Sequence, residues 1–347
     1  MANLLSRRQL LAAVPALRLP RKIRVALIGL DGHTGEVTKP LPQLPDVEMV
    51  ALHDARPEAM AKFGKTFPNA KHFSDYRKLL DEAKPDVVGV CNENSNHAAA
   101  TLACLERNIH VIAEKPFATE FADQEKVIAA VKRGPAKFTV MTSMRFDSPY
   151  LGLRQIVESG EIGEVIQMDG QKSYQPSERP AWYFKRKTYG GTMPWIGIHM
   201  IDLMLFTSGR NLVEAFGYQN HIGFPETGDT ENITATVFRM DNGGVALLRM
   251  DYLRPKPSGS HGDDRLRLAG TKGIAEYMAA TGVTVMSDKR GREVISQLPA
   301  PRSLFSEFLD HIYNGKAAPI PWEQIERGNR IVLGAREAME THRVVKL

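Results

Sequence analysis

Cysteine is nearly absent from this chain: Cys91 and Cys104 are the two thiols among 347 residues. Two such residues build no disulfide framework and offer no metal-ligand spacing, so both read as buried free thiols in apolar company. Nor is there an apolar run of the roughly 18 to 20 residues that a membrane-spanning helix needs. The longest candidate, residues 193–206, is shorter and carries His199 and Asp202. Charge of one sign is scarce too, since 45 basic against 40 acidic side chains leave a formal +5. The basic residues are scattered without interleaved aromatics, which removes a nucleic-acid footprint. Low-complexity tracts and internal repeats are missing. What remains, 43% hydrophobic and 24% charged with 7% aromatic, is the composition of an ordinary globular chain. At roughly 150 residues per domain, its length predicts two domains.

Residues 1–20 stand apart as a basic extension. Ser6-Arg7-Arg8-Gln9-Leu10-Leu11 resembles a twin-arginine export signal, and Val14-Pro15-Ala16 resembles a cleavage site. The apolar stretch is short, and Arg18, Arg21 and Lys22 follow almost at once. A frayed tail on a cytoplasmic protein is therefore the preferred expectation, with periplasmic export as the alternative.

Across residues 21–143, apolar strands at 23–28, 47–53, 86–91, 110–113 and 138–141 alternate with helical segments at 57–63, 96–106 and 121–132. That alternation predicts a doubly wound, Rossmann-type α/β domain with a parallel sheet covered on both faces. The texture changes over residues 144–347. Helical patterns at 150–158, 193–206, 304–313 and 322–339 flank extended stretches at 164–174 and from 212 to about 286. Asp241-Asn242-Gly243-Gly244 marks a hairpin, and Gly270-Thr271-Lys272-Gly273 a second reversal. The expectation is an α+β domain on one large, mostly antiparallel sheet.

The first strand runs straight into Gly29-Leu30-Asp31-Gly32-His33-Thr34-Gly35, followed by a helical pattern. Glycines here permit a tight turn and let backbone N–H groups approach a pyrophosphate, while a helix N-terminus favours the anion. Asp54 lies 19 positions beyond Gly35, at the end of the second strand, where a carboxylate accepts from ribose hydroxyls or caps the next helix. Its charge favours NAD over NADP. Arg56, two residues on, is the feature that would suit a 2′-phosphate instead.

At His110-Val111-Ile112-Ala113-Glu114-Lys115-Pro116 the chain resembles the Gfo/Idh/MocA family of oxidoreductases. The likeness extends in order through Asp54-Ala55-Arg56-Pro57-Glu58, Asn94-Ser95-Asn96-His97, Met144-Arg145-Phe146-Asp147, Gly190-Gly191-Thr192 with His199 and Asp202, and the closing Glu340-Thr341-His342-Arg343-Val344-Val345. The resemblance implies hydride transfer between a nicotinamide and a carbon of a sugar, polyol or derivative. It implies a Rossmann domain followed by a substrate domain, and a homodimer or homotetramer formed through the second sheet. Lys115 would contact both substrate and cofactor, and burial would bring its amine toward the working pH range; the bland alternative is an ion pair with Glu114. His199 would be the proton acceptor, oriented by Asp202 on the same helical face. The cofactor set would be Gly29, Gly32, His33, Thr34, Gly35, Asp54, Arg56, Asn94, His97, Glu114 and Lys115. Arg145, Trp182, Tyr183, Trp195 and Asp202 are the candidates facing substrate, Trp182 and Tyr183 in a lid-like stretch.

Two departures stand out. The family commonly carries an aspartate four residues before the histidine, where this chain has Trp195, and a proline where it has Glu93. Tryptophan accepts no proton, so Trp195 is either a stacking face for a sugar ring or an apolar plug. Two alternatives to a dehydrogenase follow: an NAD-dependent glycoside hydrolase working by transient oxidation, or a cofactor-binding protein with little catalysis. No metal site is expected; His261, Asp263 and Asp264 read as a solvated loop.

Overall fold

The computed structural model describes residues 17–176, 179–225 and 228–347. The export-like motif around Arg7 and Arg8 therefore lies outside the described residues. Six strands form the first sheet: β1 (Ile23–Ile28), β2 (Val47–His53), β3 (Lys71–Phe73), β4 (Val87–Val90), β5 (His110–Ala113) and β6 (Phe138–Val140). Their order is β3-β2-β1-β4-β5-β6, and every pairing is parallel. Helices cross between them: α1 (Gly35–Thr38), α2 (Pro57–Thr66), α3 (Tyr76–Ala83), α4 (His97–Leu105) and α5 (Phe121–Arg133). With both faces covered, β1 and β4 consist almost wholly of buried apolar residues. The strand order reverses between β1 and β4, and a crevice opens there beyond their carboxyl ends.

One expectation fails locally. The helical pattern after the glycine turn yields a single turn, α1, because Pro40 and Pro42 follow at once and cannot carry an α-helix onward. The helix dipole available to an anion there is correspondingly small.

After α6 (Ser148–Glu158) the chain builds a nine-stranded sheet from β7 (Val165–Tyr174) onward. The others are β8 (Leu212–Asn220), β9 (Ile233–Met240), β10 (Val245–Asp251), β11 (Gly262–Gly270), β12 (Gly273–Met278), β13 (Gly282–Ser287), β14 (Arg290–Val294) and β15 (Val345–Lys346). The order is β14-β13-β12-β11-β7-β10-β9-β8-β15, antiparallel throughout except between β7 and β10. The hairpin expected at Asp241–Gly244 joins β9 to β10, and the reversal at 270–273 joins β11 to β12. Strict alternation of buried and exposed residues along β9 and β10 shows one covered face. The cover includes α8 (Ile198–Ser208), which follows the short α7 (Arg186–Tyr189) and a wide π-type turn at Met193–Gly197.

The two halves are not separate beads. Helix α9 (Leu304–Asn314) returns to the first sheet, where Leu304, Phe305, Phe308 and Leu309 join its core. Helix α10 (Trp322–Thr341) spans both cores, giving Ile325 to the first and Ile331, Val332, Ala335 and Met339 to the second. Cys91 and Cys104 are free and buried in the first core, as the composition implied. No helix among the described residues is long and apolar enough to cross a membrane. Because Phe308 is fully buried in the first core, Phe308→Ala should cost about 3–5 kcal/mol of stability, read by urea unfolding.

Candidate active site

The glycine turn sits at the reversal of strand order. Gly29 and Gly32 have φ of +81° and +60°, which side chains disfavour. A Cβ on Gly29 would come within 2.2 Å of the Asn92 backbone, and one on Gly32 within 2.3 Å of Glu114 Oε1. Much of the turn's donor capacity is spent on protein. Gly29 N–H donates to the His53 carbonyl, Leu30 N–H to Asp54 Oδ2, Asp31 N–H to the Cys91 carbonyl and His33 N–H to Glu114 Oε1. The N–H groups of Gly32 and Thr34 have no protein acceptor among the described residues. A cavity of about 810 Å³ opens beside this turn, bounded by Gly29, Asp54, Arg56, Asn92, Glu93 and Trp182.

Asp54 stands where the ribose carboxylate was expected; it is not the N-cap of α2, which is Arg56, but accepts from the Arg56 and Leu30 backbone N–H groups. Burial alone would raise its pKa, but hydrogen bonds from the Arg56 side chain, the Arg56 N–H and the Leu30 N–H outweigh that and hold it below the usual range. Arg56 is shared between Asp54 at 2.9 Å and Asp31 at 2.8 Å. A guanidinium neutralised by two carboxylates is poorly placed to take a 2′-phosphate, which agrees with NAD. Glu93 accepts from Ser95 Oγ and Asn96 Nδ2, both at 2.9 Å, and so ties down its own turn.

Two expected cofactor contacts are turned inward instead. Asn94 is fully buried, with its Nδ2 donating to the Tyr189 carbonyl at 2.8 Å. His97 is fully buried as well, its nitrogens 2.7 Å from the Pro116 carbonyl and 2.9 Å from that of Asn92. In this packing both side chains clasp the loops that follow β4 and β5, while Asn94 Oδ1 has no hydrogen-bond partner.

Beyond β5, Glu114 and Lys115 are each 1% exposed, and the Lys115–Pro116 bond is cis. They do not pair head to head. Glu114 accepts from His33 Nδ1 at 2.6 Å and from the Lys115 backbone N–H at 3.0 Å. Burial would push its carboxyl up, but the charges of His33 and Lys115 hold it down at about 2. The Lys115 ammonium points the other way, donating to the Trp195 carbonyl at 2.7 Å and lying 3.4 Å from the centre of the Trp195 ring. Burial pulls its pKa down to about 7; Glu114 opposes this, while Lys172 and Arg179 add to it.

His199 comes from the first turn of α8. It is 5% exposed and its Nδ1 has no hydrogen-bond partner. Burial first, then the charges of Lys115, Lys172 and His33, hold its pKa well below the ordinary histidine value, so the ring is neutral. The expectation that Asp202 orients it fails. Asp202 makes a two-pronged pair with Arg145, at 2.9 Å to Nε and 2.5 Å to Nη2, and Arg145 Nη1 donates to Gln324 at 2.7 Å. The guanidinium, 2% exposed, demands a full carboxylate. Arg145 and Asp202 therefore cross-link α8 to the crossing segment and α10 instead of facing a substrate.

Trp182 closes over the cleft from the second half of the chain, its Nε1 donating to Asp31 Oδ2 at 3.1 Å. Tyr183 is buried, its ring centre 5.4 Å from that of Trp195. The residues read as a solvated loop near His261 instead open β11, and Asp264 pairs at 2.8 Å with Lys172, whose side chain is fully buried. Sequence reading missed Lys172, though its spacing from Met168 and Gly170 along β7 puts it on the covered face. It missed Asp31 too, whose partners lie far along the chain. Among the described residues no group of three or more His, Cys, Asp or Glu side chains is placed to hold a metal ion.

A glycine turn at the reversal of a parallel sheet, with a sealed lysine beneath a second sheet, defines the class of dinucleotide-binding oxidoreductases. Comparison with known proteins narrows the class. Residues 23–142 match the oxidoreductase family described as having an NAD-binding Rossmann fold, and residues 150–276 match the GFO/IDH/MocA C-terminal domain. The chain belongs to the Gfo/Idh/MocA family. A myo-inositol 2-dehydrogenase of Thermotoga maritima is 25% identical over 340 residues, covering 94% of this chain and 98% of its own. The D-glucoside 3-dehydrogenase of Escherichia coli is 28% identical over 223 residues, 60% of this chain and 63% of its own. Among solved structures, an oxidoreductase from Thermotoga maritima superposes with a TM-score of 0.88 at 29% identity, over 94% of this chain and all of that one. A levoglucosan dehydrogenase in complex with NADH and levoglucosan has a TM-score of 0.81 at 19% identity, over 94% and 99%, and speaks for the fold alone.

The Arg145–Asp202 pair gives the sharpest test of this geometry. Asp202→Ala should leave a buried guanidinium unpaired and cost about 3–5 kcal/mol in chemical denaturation. An Asp202→Ala protein as stable as the parent would contradict the pairing.

Proposed function

We propose that the protein is an NAD-dependent dehydrogenase that moves a hydride between nicotinamide and a carbinol carbon of a sugar, polyol or sugar derivative. The observation that carries this reading is Lys115, a sealed amine brought to about pH 7 at the carboxyl end of β5 and facing the second sheet. The dinucleotide fits the residues present. Gly29 has no room for a Cβ, the 810 Å³ cavity opens beside it, and Asp54 stands at the cavity wall. Bound there, the cofactor supplies the two-electron acceptor or donor.

The chain's own residues handle the proton. As a carbinol carbon is oxidised, its hydroxyl proton must leave, and a neutral amine at Lys115 is a base of suitable strength. In the reverse direction the ammonium supports the developing alkoxide. His199, neutral and with an open Nδ1, offers a hydrogen bond to the same oxygen rather than a strong base. The Trp195 indole, with Tyr183 against it, offers a flat apolar face to the C–H side of a sugar ring. The relatives' names, an inositol dehydrogenase and a glucoside dehydrogenase, support a polyhydroxylated substrate.

One observation favours a second reading. The Lys115 ammonium is spent on Trp195, both carbonyl and ring, as in a site held closed. In that reading the protein binds cofactor with little turnover, and Trp195→Asp would create activity that the parent lacks. Net NADH formation by the parent on a panel of polyols excludes it. The same net formation separates a dehydrogenase from a glycoside hydrolase that oxidises and re-reduces its substrate.

Lys115→Ala should lower turnover about 10²–10⁴-fold while NADH affinity, read by fluorescence, stays within a few-fold. The pH dependence has a definite sign. kcat/KM for oxidation should rise with pH through about 7 as the amine loses its proton. The stability lost by burying that amine is fully present below about 7 and fades as pH climbs toward the unfolded value of 10.5, so unfolding free energy rises across that window. Lys115→Met should flatten this rise in denaturation series at several pH values.

The uncovered face of the second sheet carries Val237, Val245, Leu247 and Met286. We read it as the contact of a homodimer or homotetramer. Light scattering should give at least twice the chain mass at micromolar concentration; a monomer would refute this contact.

A further inference from the structure

The groups gathered at the cleft differ in their access to water. Lys115 and Glu114 are 1% exposed and His199 is 5%, whereas the His33 side chain is 37% exposed. A buried amine that takes a proton in each turnover must also deliver it to solvent. His33 has the geometry for that task. Its Nδ1 lies 2.6 Å from Glu114 Oε1, and its backbone N–H donates to the same oxygen at 3.1 Å. A carboxylate only accepts, so Nδ1 carries the hydrogen, and in the neutral form of the ring the lone pair then sits on Nε2. This is the orienter-and-base arrangement of general acid–base sites. The His33 ring meets His199 edge to face at 5.2 Å between centres and lies 6.1 Å from Trp195, so it stands at the rim of the Lys115 enclosure. The charged and titratable groups around it are Glu114 and Lys115 beyond β5, His199 from α8, and Asp31 and Glu36 on its own turn and helix, with Asp31 held by Arg56.

We propose that His33, oriented by Glu114, is the proton outlet of this site. The inference rests on the dehydrogenase reading. A bound dinucleotide would supply the acceptor for the hydrogen and electron pair of the carbinol C–H bond as the O–H bond breaks and C=O forms. The hydroxyl proton passes to the neutral Lys115 amine, then to His33 Nε2 by way of water in the cleft, and from the imidazolium to bulk water. Both side chains return to their starting states. In the reducing direction each transfer reverses.

The test uses the full chain loaded with NAD. His33→Ala should lose about 10²-fold in kcat with NADH affinity kept within a few-fold, and added imidazole should restore the rate in proportion to its concentration. His33→Gln keeps a donor for Glu114 but carries no transferable proton, so it should stay slow. Full turnover in His33→Ala, absence of rescue by imidazole, or recovery in His33→Gln each overturns the outlet. Lys115→Ala separates the two readings. If it is as active as the parent, the dehydrogenase mechanism falls; if it is inactive while His33→Ala is unimpaired, the outlet alone falls. Independently of turnover, long-range ¹H–¹⁵N spectra should show His33 as the Nδ1–H tautomer, and the Nε2–H tautomer overturns the assignment.

Discussion

Two opposite charges on neighbouring residues, both sealed from water, organise this molecule. Glu114 and Lys115 follow one strand and point to different sides, as successive residues in extended chain do. The carboxylate turns to the glycine loop and binds His33 there; the ammonium turns to the second half of the chain and binds the Trp195 carbonyl. Neither charge is neutralised by the other in a direct contact. The pair is therefore satisfied only when both the glycine loop and the turn at 193–197 are in place. Burying such charges is expensive without partners, so the pair enforces the geometry of the cleft.

The rest of the architecture keeps the two walls of the cleft in register. Arg145 and Asp202 lock α8 to the crossing segment and, through Gln324, to α10. Asn329, also on α10, donates to the Ala118 carbonyl and to Gln124. Trp182 reaches back to Asp31. These contacts join residues far apart in sequence, and each is a polar bond in a buried or half-buried setting. The aromatic group of Trp182, Tyr183, Tyr189 and Trp195 fills the space between them, with Trp182 and Tyr183 edge-on to Trp195 and Tyr189 tilted against it.

Much of the fold was legible because its signals are local. Apolar runs of strand length between helical patterns dictate a parallel sheet, and the Asn-Gly-containing reversal at 241–244 dictates a hairpin. The order of short motifs around Glu114-Lys115-Pro116 carried the family. Local signals misled where a neighbour in sequence overrode them: Pro40 and Pro42 cut α1 to one turn. They misled again where a partner came from afar. Asp202 sits three residues from His199, on the face that would touch it, yet a guanidinium 57 residues away takes both of its oxygens. His97 and Asn94 bear the residue types of ligand contacts, and their side chains also clasp backbone carbonyls from distant loops. Spacing reports which side chains share a face, not which of them wins a buried cation.

The return of α9 to the first sheet has a consequence for how the chain is made. The first core is assembled from residues up to Phe146 and is finished only by Leu304, Phe305, Phe308, Leu309, Ile320 and Ile325. On the ribosome, the nucleotide-binding half therefore emerges with an apolar face that nothing yet covers, and it stays so while the whole second sheet is synthesised. The first domain therefore completes its core only after the second sheet has been made, unlike a domain that folds as a unit ahead of the next. The residues that complete that core lie in about the last eighth of the sequence.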